Sequence, residues 1–111
     1  MNFGIIIPAY NEEKSIVLTL QSLINQSFVP YQIIVVDDGS TDNTAQLVSE
    51  MAVQHPQIQL VQRKEKGEHQ PGAKIVQTFN FGLPYLKKEV DVICKYDADL
   101  VFPVNYFEVM N

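Results

Sequence analysis

In YQIIVVDDGSTDNT, residues 31–44, an apolar run from Ile33 to Val36 ends on two carboxylates, Asp37 and Asp38, and then on turn and cap formers. Four β-branched residues in a row suit a parallel strand covered on both faces. Ser40, Thr41, Asp42, Asn43 and Thr44 offer N-capping side chains for a helix that follows. The segment therefore reads as strand, polar loop, helix. The same grammar extends in both directions. FGIII (3–7) runs into PAYNEE, and QIQLVQ (57–62) and VDVICKYD (90–97) supply two further strands. Helical periodicity fills the gaps, with one stripe at Ile16, Leu20, Leu23 and Ile24 and a second at Leu47, Val48, Met51 and Ala52. A third stripe comprises Val76, Phe79, Leu83 and Leu86. Pro56 ends the second helix, Pro103 is expected to open a fourth, and RKEKGEHQPGAK (63–74) reads as a surface loop. Strands alternating with helices imply an α/β domain, a mostly parallel sheet with right-handed crossovers and helices on both faces.

The chain of 111 residues is one domain at most, 46% hydrophobic and 19% charged. A net charge of -5 argues against nucleic acid, whose phosphates call for Lys and Arg. One cysteine excludes an internal disulfide, so Cys94 reads as a small core residue in a reducing compartment. No secretory signal opens the sequence and no apolar run approaches a membrane span, so the expected location is cytoplasmic.

Polar residues collect at one end of every strand. The first strand runs into PAYNEE, the second into DDGSTD, the third into a loop with Arg63, Lys64, His69 and Lys74, and the fourth into DADL. The opposite ends, SFVPYQ and HPQIQ, are plainer. In open parallel sheets ligands bind beyond the carboxyl ends of the strands, so the asymmetry points to a site. Asp97 and Asp99, one residue apart after an apolar strand, repel each other unless a cation lies between them. Carboxylate oxygens suit Mg²⁺ or Mn²⁺, which keep positions open for phosphate oxygens, whereas zinc would call for Cys and His pairs. A lone Asp-x-Asp is equally a solvated turn. Two other doubly wound architectures fit less well. Receiver domains pair their acids after the first strand, and nucleotidyltransferases carry a Gly-rich basic loop there, where this chain has PAYNEE. The local alternatives stay open: Tyr10 as loop packing beside Pro8, Glu12 and Glu13 as first-turn acids, Asn11 as a turn former, and His55 as a helix cap.

IIIPAYNEE, IIVVDDGSTDNT, NFG and YDADL, in that order and spacing, resemble the family 2 glycosyltransferases. The resemblance runs from Ile5 to about Pro103 and implies a Rossmann-like GT-A fold. It implies inverting, metal-dependent transfer of a sugar from a UDP- or GDP-sugar to an acceptor hydroxyl or polyprenyl phosphate, in glycan or cell-envelope polysaccharide synthesis. By this resemblance Pro8, Ala9, Tyr10 and Glu12 line the nucleoside pocket, and Asp38 hydrogen-bonds the base ring. Asp37 fixes the loop through backbone N–H groups. Asp97 lies near the ribose, with Asp99 and Asp97 as ligands of Mn²⁺ or Mg²⁺. Gly72, Lys74, Asn80 and Gly82 lie beside the donor, with Arg63 and Lys64 as further positive charge and His69 as a phosphate or acceptor contact. Residues 1–111 then form the donor-binding part, with the acceptor half and catalytic base expected beyond Asn111 and the full-length protein at the inner face of the membrane. The uncovered edge left at that point predicts self-association. The alternatives are a nucleotide-sugar-binding module without catalysis and a metal-dependent, receiver-like phosphoacceptor domain.

Overall fold

The computed structural model describes residues 1–63 and 71–110, the side chains of residues 71–76 and 110 excepted. Strands β1 (Phe3–Ala9), β2 (Gln32–Asp37), β3 (Ile58–Gln62) and β4 (Val92–Lys95) form one parallel sheet in the order β3-β2-β1-β4. Helices α1 (Ile16–Ile24), α2 (Thr44–Gln54), α3 (Pro71–Gly82) and α4 (Tyr106–Met110) connect and flank it, and a 3-10 turn, Leu83–Tyr85, continues α3.

Alternation along the strands divides the core into two layers. Phe3, Ile5, Ile7 and Ala9 of β1, with Ile33 and Val35 of β2, face Ile16, Leu20 and Leu23 of α1, Val48 of α2 and Phe107 of α4. Ile6, Ile34, Val36 and Val61 face the other way, against Phe79, Leu83 and Leu86. The β1-α1-β2 step moves one way along the sheet and the β3-α3-β4 step the other way. Right-handed crossovers must then put α1 and α3 on opposite faces, as the two clusters do. Fully burying a side chain of this size is worth about 1.5–3 kcal/mol, so the central strands carry most of the stability.

Two details show why the sheet tolerates its sequence. Pro8 lies in the central strand, yet Ile6 already accepts its bond from Tyr96 N–H, and β4 pairs with β1 only as far as Ile6. The N–H that Pro8 lacks belongs to the β4 side of the strand, so its absence ends that ladder at Ile6 while the pairing with β2 runs on to Ala9. Gly82 lets α3 approach closely, since a Cβ there would lie 2.8 Å from Val36 Cγ2 and 3.1 Å from Ile6 Cγ2.

Several expected boundaries move. The supposed loop 63–74 gives way to α3 at Pro71, whose fixed φ suits the first helical position. Pro103 does not open α4. Its carbonyl accepts Tyr106 N–H and closes the turn from which the helix starts. Strand β1 runs two residues further than FGIII, to Ala9. The capping segment works differently as well: Asn43 holds the N-cap position without a side-chain bond, while Asp42 Oδ1 accepts Thr44 N–H at 2.9 Å. His55 is the C-cap residue of α2, its N–H donating to Met51. Cys94 is half-buried at the rim of the larger cluster. Among the described residues no helix is long and apolar enough to cross a membrane.

Candidate functional site

Strand order reverses between β1 and β4, and the carboxyl ends of these two neighbouring strands are where a sheet of this kind places its ligand site. Pro8 and Ala9 end β1, half-buried and buried respectively, and Tyr10 beyond them is 46% exposed. Asp38 sits beside them, because its N–H donates to Ala9 O at 2.9 Å. Asp97 and Asp99 follow β4 and are both exposed.

The loops after β1 and β2 are laced together. Asn11 adopts φ 53°, a left-handed conformation that Asn tolerates better than most residues. There its N–H donates to Ser40 Oγ at 2.9 Å and its Oδ1 accepts Thr41 N–H at 2.8 Å. Glu13 N–H donates to Asp42 Oδ2, and Glu13 Oε2 accepts Asn43 N–H. Glu12 N–H donates to Thr44 Oγ1 at 2.8 Å, while Glu12 Oε2 accepts the Ser15 hydroxyl at the start of α1. Desolvation works against ionisation of Asp42. Bonds from the Thr44 hydroxyl, Thr44 N–H and Glu13 N–H outweigh it and hold the carboxyl below its ordinary range. The expected loop fastener, Asp37, is not among these partners. It is 3% exposed, and its Oδ1 has no hydrogen-bond partner among the described residues.

The Asp97-Ala98-Asp99 turn is anchored by its middle residue. Ala98 is buried, and its carbonyl accepts the Thr19 hydroxyl at 2.9 Å, while the Ser15 hydroxyl lies 3.0 Å from both this carbonyl and Glu12 Oε2 and shares its one hydrogen between them. Pinning Ala98 to α1 leaves the acids on either side of it in solvent. Asp97 Oδ1 lies 3.7 Å from Lys95 Nζ, whereas Asp99 has no ion-pair partner among the described residues. Just before the turn, burial, then contacts with Tyr106 and Cys94, push the Tyr96 phenol above its usual range and keep it neutral.

Asp38 is 4% exposed and is met by Arg63, whose Nη1 lies 3.2 Å from Asp38 Oδ1. The same guanidinium reaches α3 through Thr78 Oγ1 at 3.3 Å and Gln77 Oε1 at 3.1 Å. The charge of Arg63 is thus spent at least partly on a buried carboxylate.

One sheet edge therefore carries Pro8, Ala9, Tyr10, Asp38, Asp97 and Asp99, while Glu12 faces the start of α1. Gly82 packs on the sheet face against Val36, and Asn80 is exposed on α3. Lys64 and His69 lie outside the described residues, as does the side chain of Lys74, although positions 72 and 74 fall in the first turns of α3. No group of three His, Cys, Asp or Glu residues among the described residues could hold a metal ion. Two hard carboxylates on an anchored turn fit a Mg²⁺- or Mn²⁺-type ion that takes its remaining ligands from phosphate and water. Sequence reasoning missed the Ser15–Thr19 anchor and the Arg63–Asp38 pair. A hydroxyl at position 19 inside an apolar stripe was the available signal for the first.

Comparison with known proteins agrees with this geometry. The model of the family "Glycosyl transferase family 2" matches residues 4–110. A dolichyl-phosphate beta-glucosyltransferase of Trichomonas vaginalis is 42% identical over 93% of this chain and 31% of its own length. An undecaprenyl-phosphate 4-deoxy-4-formamido-L-arabinose transferase of Proteus mirabilis is 33% identical over 90% of this chain and 29% of its own. Among solved structures, Staphylococcus aureus TarS in complex with UDP superposes with a TM-score of 0.78 at 30% identity, over 99% of this chain and 31% of that one. The mannosyltransferase PcManGT of Pyrobaculum calidifontis, solved with GDP-Man and Mn²⁺, gives 0.74 at 28% identity, over 92% and 28%. The chain spans about a third or less of these relatives. These neighbours have the GT-A fold, and the family match sets aside the receiver-like reading. The chain belongs to glycosyltransferase family 2.

Proposed function

We propose that this chain is the donor-binding part of an inverting, metal-dependent glycosyltransferase that takes a UDP- or GDP-sugar. The acceptor is a hydroxyl or a polyprenyl phosphate, and the product enters glycan or polysaccharide synthesis. The observation that carries the reading is the anchored turn that presents Asp97 and Asp99 at the strand-order reversal. It sits at the same sheet edge as the buried acid Asp38. Relatives that act on polyprenyl phosphates, and neighbours solved with UDP or with GDP-Man and Mn²⁺, support it.

Each residue then has a task. Asp38 accepts a hydrogen bond from a ring N–H of the base, and Tyr10, exposed beside it, lies against the ring face. Pro8 and Ala9 form the floor, Asp97 approaches the ribose, and Lys74 adds positive charge toward the phosphates. Asp99, with Asp97, would hold the divalent ion. That ion supplies charge stabilisation for the nucleoside diphosphate that leaves with the electron pair of the broken sugar–phosphate bond. Inversion also needs a base to take the acceptor's proton, which we place outside this segment. Glu12 lines the nucleoside pocket as well, tied to the frame by its N–H on Thr44 Oγ1 and by its Oε2 beside the Ser15 hydroxyl. Equilibrium dialysis with labelled UDP- and GDP-sugars, with and without Mn²⁺, tests the proposal. Retention of one class only with metal supports it, and retention of neither class in a folded sample overturns it. Turnover by a longer polypeptide that includes this segment separates an enzyme from a binder.

A further inference from the structure

We propose that Arg63 is the positioning residue of the base-side carboxylate, clamping Asp38 to α3 in one orientation. This rests on the reading of Asp38 as the acid that meets the base. An ionised carboxylate as buried as Asp38 is unfavourable without a paired charge. Arg63 supplies that charge at 3.2 Å with its own side chain only 18% exposed. The guanidinium is held from two directions. Arg63 N–H donates to Asp37 O at 2.8 Å, which fixes the root of the side chain at the end of β2. Nη1 and Nη2 then reach Thr78 and Gln77 of α3. A planar fork bonded on two sides restricts the carboxylate as a lysine ammonium could not.

The consequence is chemical as well as mechanical. A carboxylate accepts hydrogen bonds and donates none. It therefore favours a base with a ring N–H beside a carbonyl, as uracil has at N3 and guanine at N1, and penalises the same base methylated at that nitrogen. Because Gln77 and Thr78 share a helix with Lys74, base reading and the placement of that helix depend on one side chain.

The test uses UDP and GDP, their forms methylated at uracil N3 and guanine N1, and base-free ribose 5-diphosphate, titrated calorimetrically with Mn²⁺ into the wild type, Arg63→Gln, Arg63→Lys, Asp38→Asn and the double variant Arg63→Gln/Asp38→Asn. Arg63→Gln should weaken the preferred nucleotide about tenfold, the size expected of a hydrogen bond to a charged group. It should leave ribose 5-diphosphate within about twofold, and Arg63→Lys should recover part of the loss. The double variant should bind no more weakly than Asp38→Asn alone. Equal weakening of ribose 5-diphosphate would make Arg63 a phosphate contact and overturn the proposal, as would an unchanged nucleotide affinity. Thermal melts of the same four variants without ligand separate this inference from the donor reading. Additive destabilisation refutes the clamp whether or not nucleotide binds. Coupled destabilisation with no nucleotide uptake by the wild type refutes the donor reading, and with it the assignment of Arg63 to base recognition, while leaving the ion pair itself established.

Discussion

Replacing Thr19 with Val tests how the acidic turn is held in place. The side chains are nearly isosteric, so the buried stripe of α1 keeps its volume and only the 2.9 Å bond to the Ala98 carbonyl is lost. One such bond contributes about 1 kcal/mol net. Ser15 still satisfies that carbonyl at 3.0 Å, so Thr19→Val alone should cost about 1 kcal/mol. Ser15→Ala alone removes the hydroxyl shared between that carbonyl and Glu12 Oε2, leaves Thr19 on the carbonyl, and should cost about the same. The double variant removes both donors from a buried carbonyl and adds its desolvation penalty, about 1–3 kcal/mol beyond the sum of the single costs. Urea unfolding at constant m-value measures this, and a cost of 1 kcal/mol lowers the melting temperature by about 4 °C or more in a domain of this size. Thr19→Ser should retain most of the wild-type stability. Additivity of the two single variants within about 0.5 kcal/mol would refute the shared-carbonyl anchor.

Other perturbations probe separate parts of the frame. Asn11→Gly keeps the left-handed conformation and loses the bond to Thr41, so chemical unfolding should show a loss of about 1 kcal/mol. Asn11→Ala adds the strain of a Cβ at φ 53° and should cost about 1 kcal/mol more. Gly82→Ala drives a methyl into Val36 and Ile6, both fully buried, and should destabilise by about 1–3 kcal/mol in the same assay. Asp42 has a folded pKa depressed below its ordinary 3.8, so the stability it contributes is present above that value. It should be lost as pH falls through the folded pKa, and Asp42→Asn should remove that component of the acid titration curve while leaving the rest.

The sheet and its helices were legible because burial imposes its own periodicity. Continuous runs such as Ile33–Val36 announce strands covered on both faces, and the stripe at Ile16, Leu20 and Leu23 announces a helix on one of them. The collection of acids at one rim was legible too, since polar residues after every strand are more than solubility requires. What escaped were contacts between residues far apart in the chain. Thr19 and Ala98 are 79 positions apart and Asp38 and Arg63 are 25 apart, and nothing local to either member names its partner. The start of α3 at Pro71 was obscured by the charged residues before it, whose composition resembles a loop. Glu12 shows a different limit. Its place in a pocket-lining motif said nothing of the Ser15 hydroxyl beside its Oε2.

The central claim is that the anchored Asp97-Ala98-Asp99 turn grips a divalent ion bearing a sugar nucleotide's diphosphate. Electron paramagnetic resonance of free Mn²⁺ tests it directly. With UDP-sugar or GDP-sugar present, wild-type protein should deplete the free Mn²⁺ signal beyond what nucleotide alone achieves, and Asp99→Ala, with its fold intact, should abolish that excess. Equal depletion by wild type and Asp99→Ala, or none by either, would contradict the account.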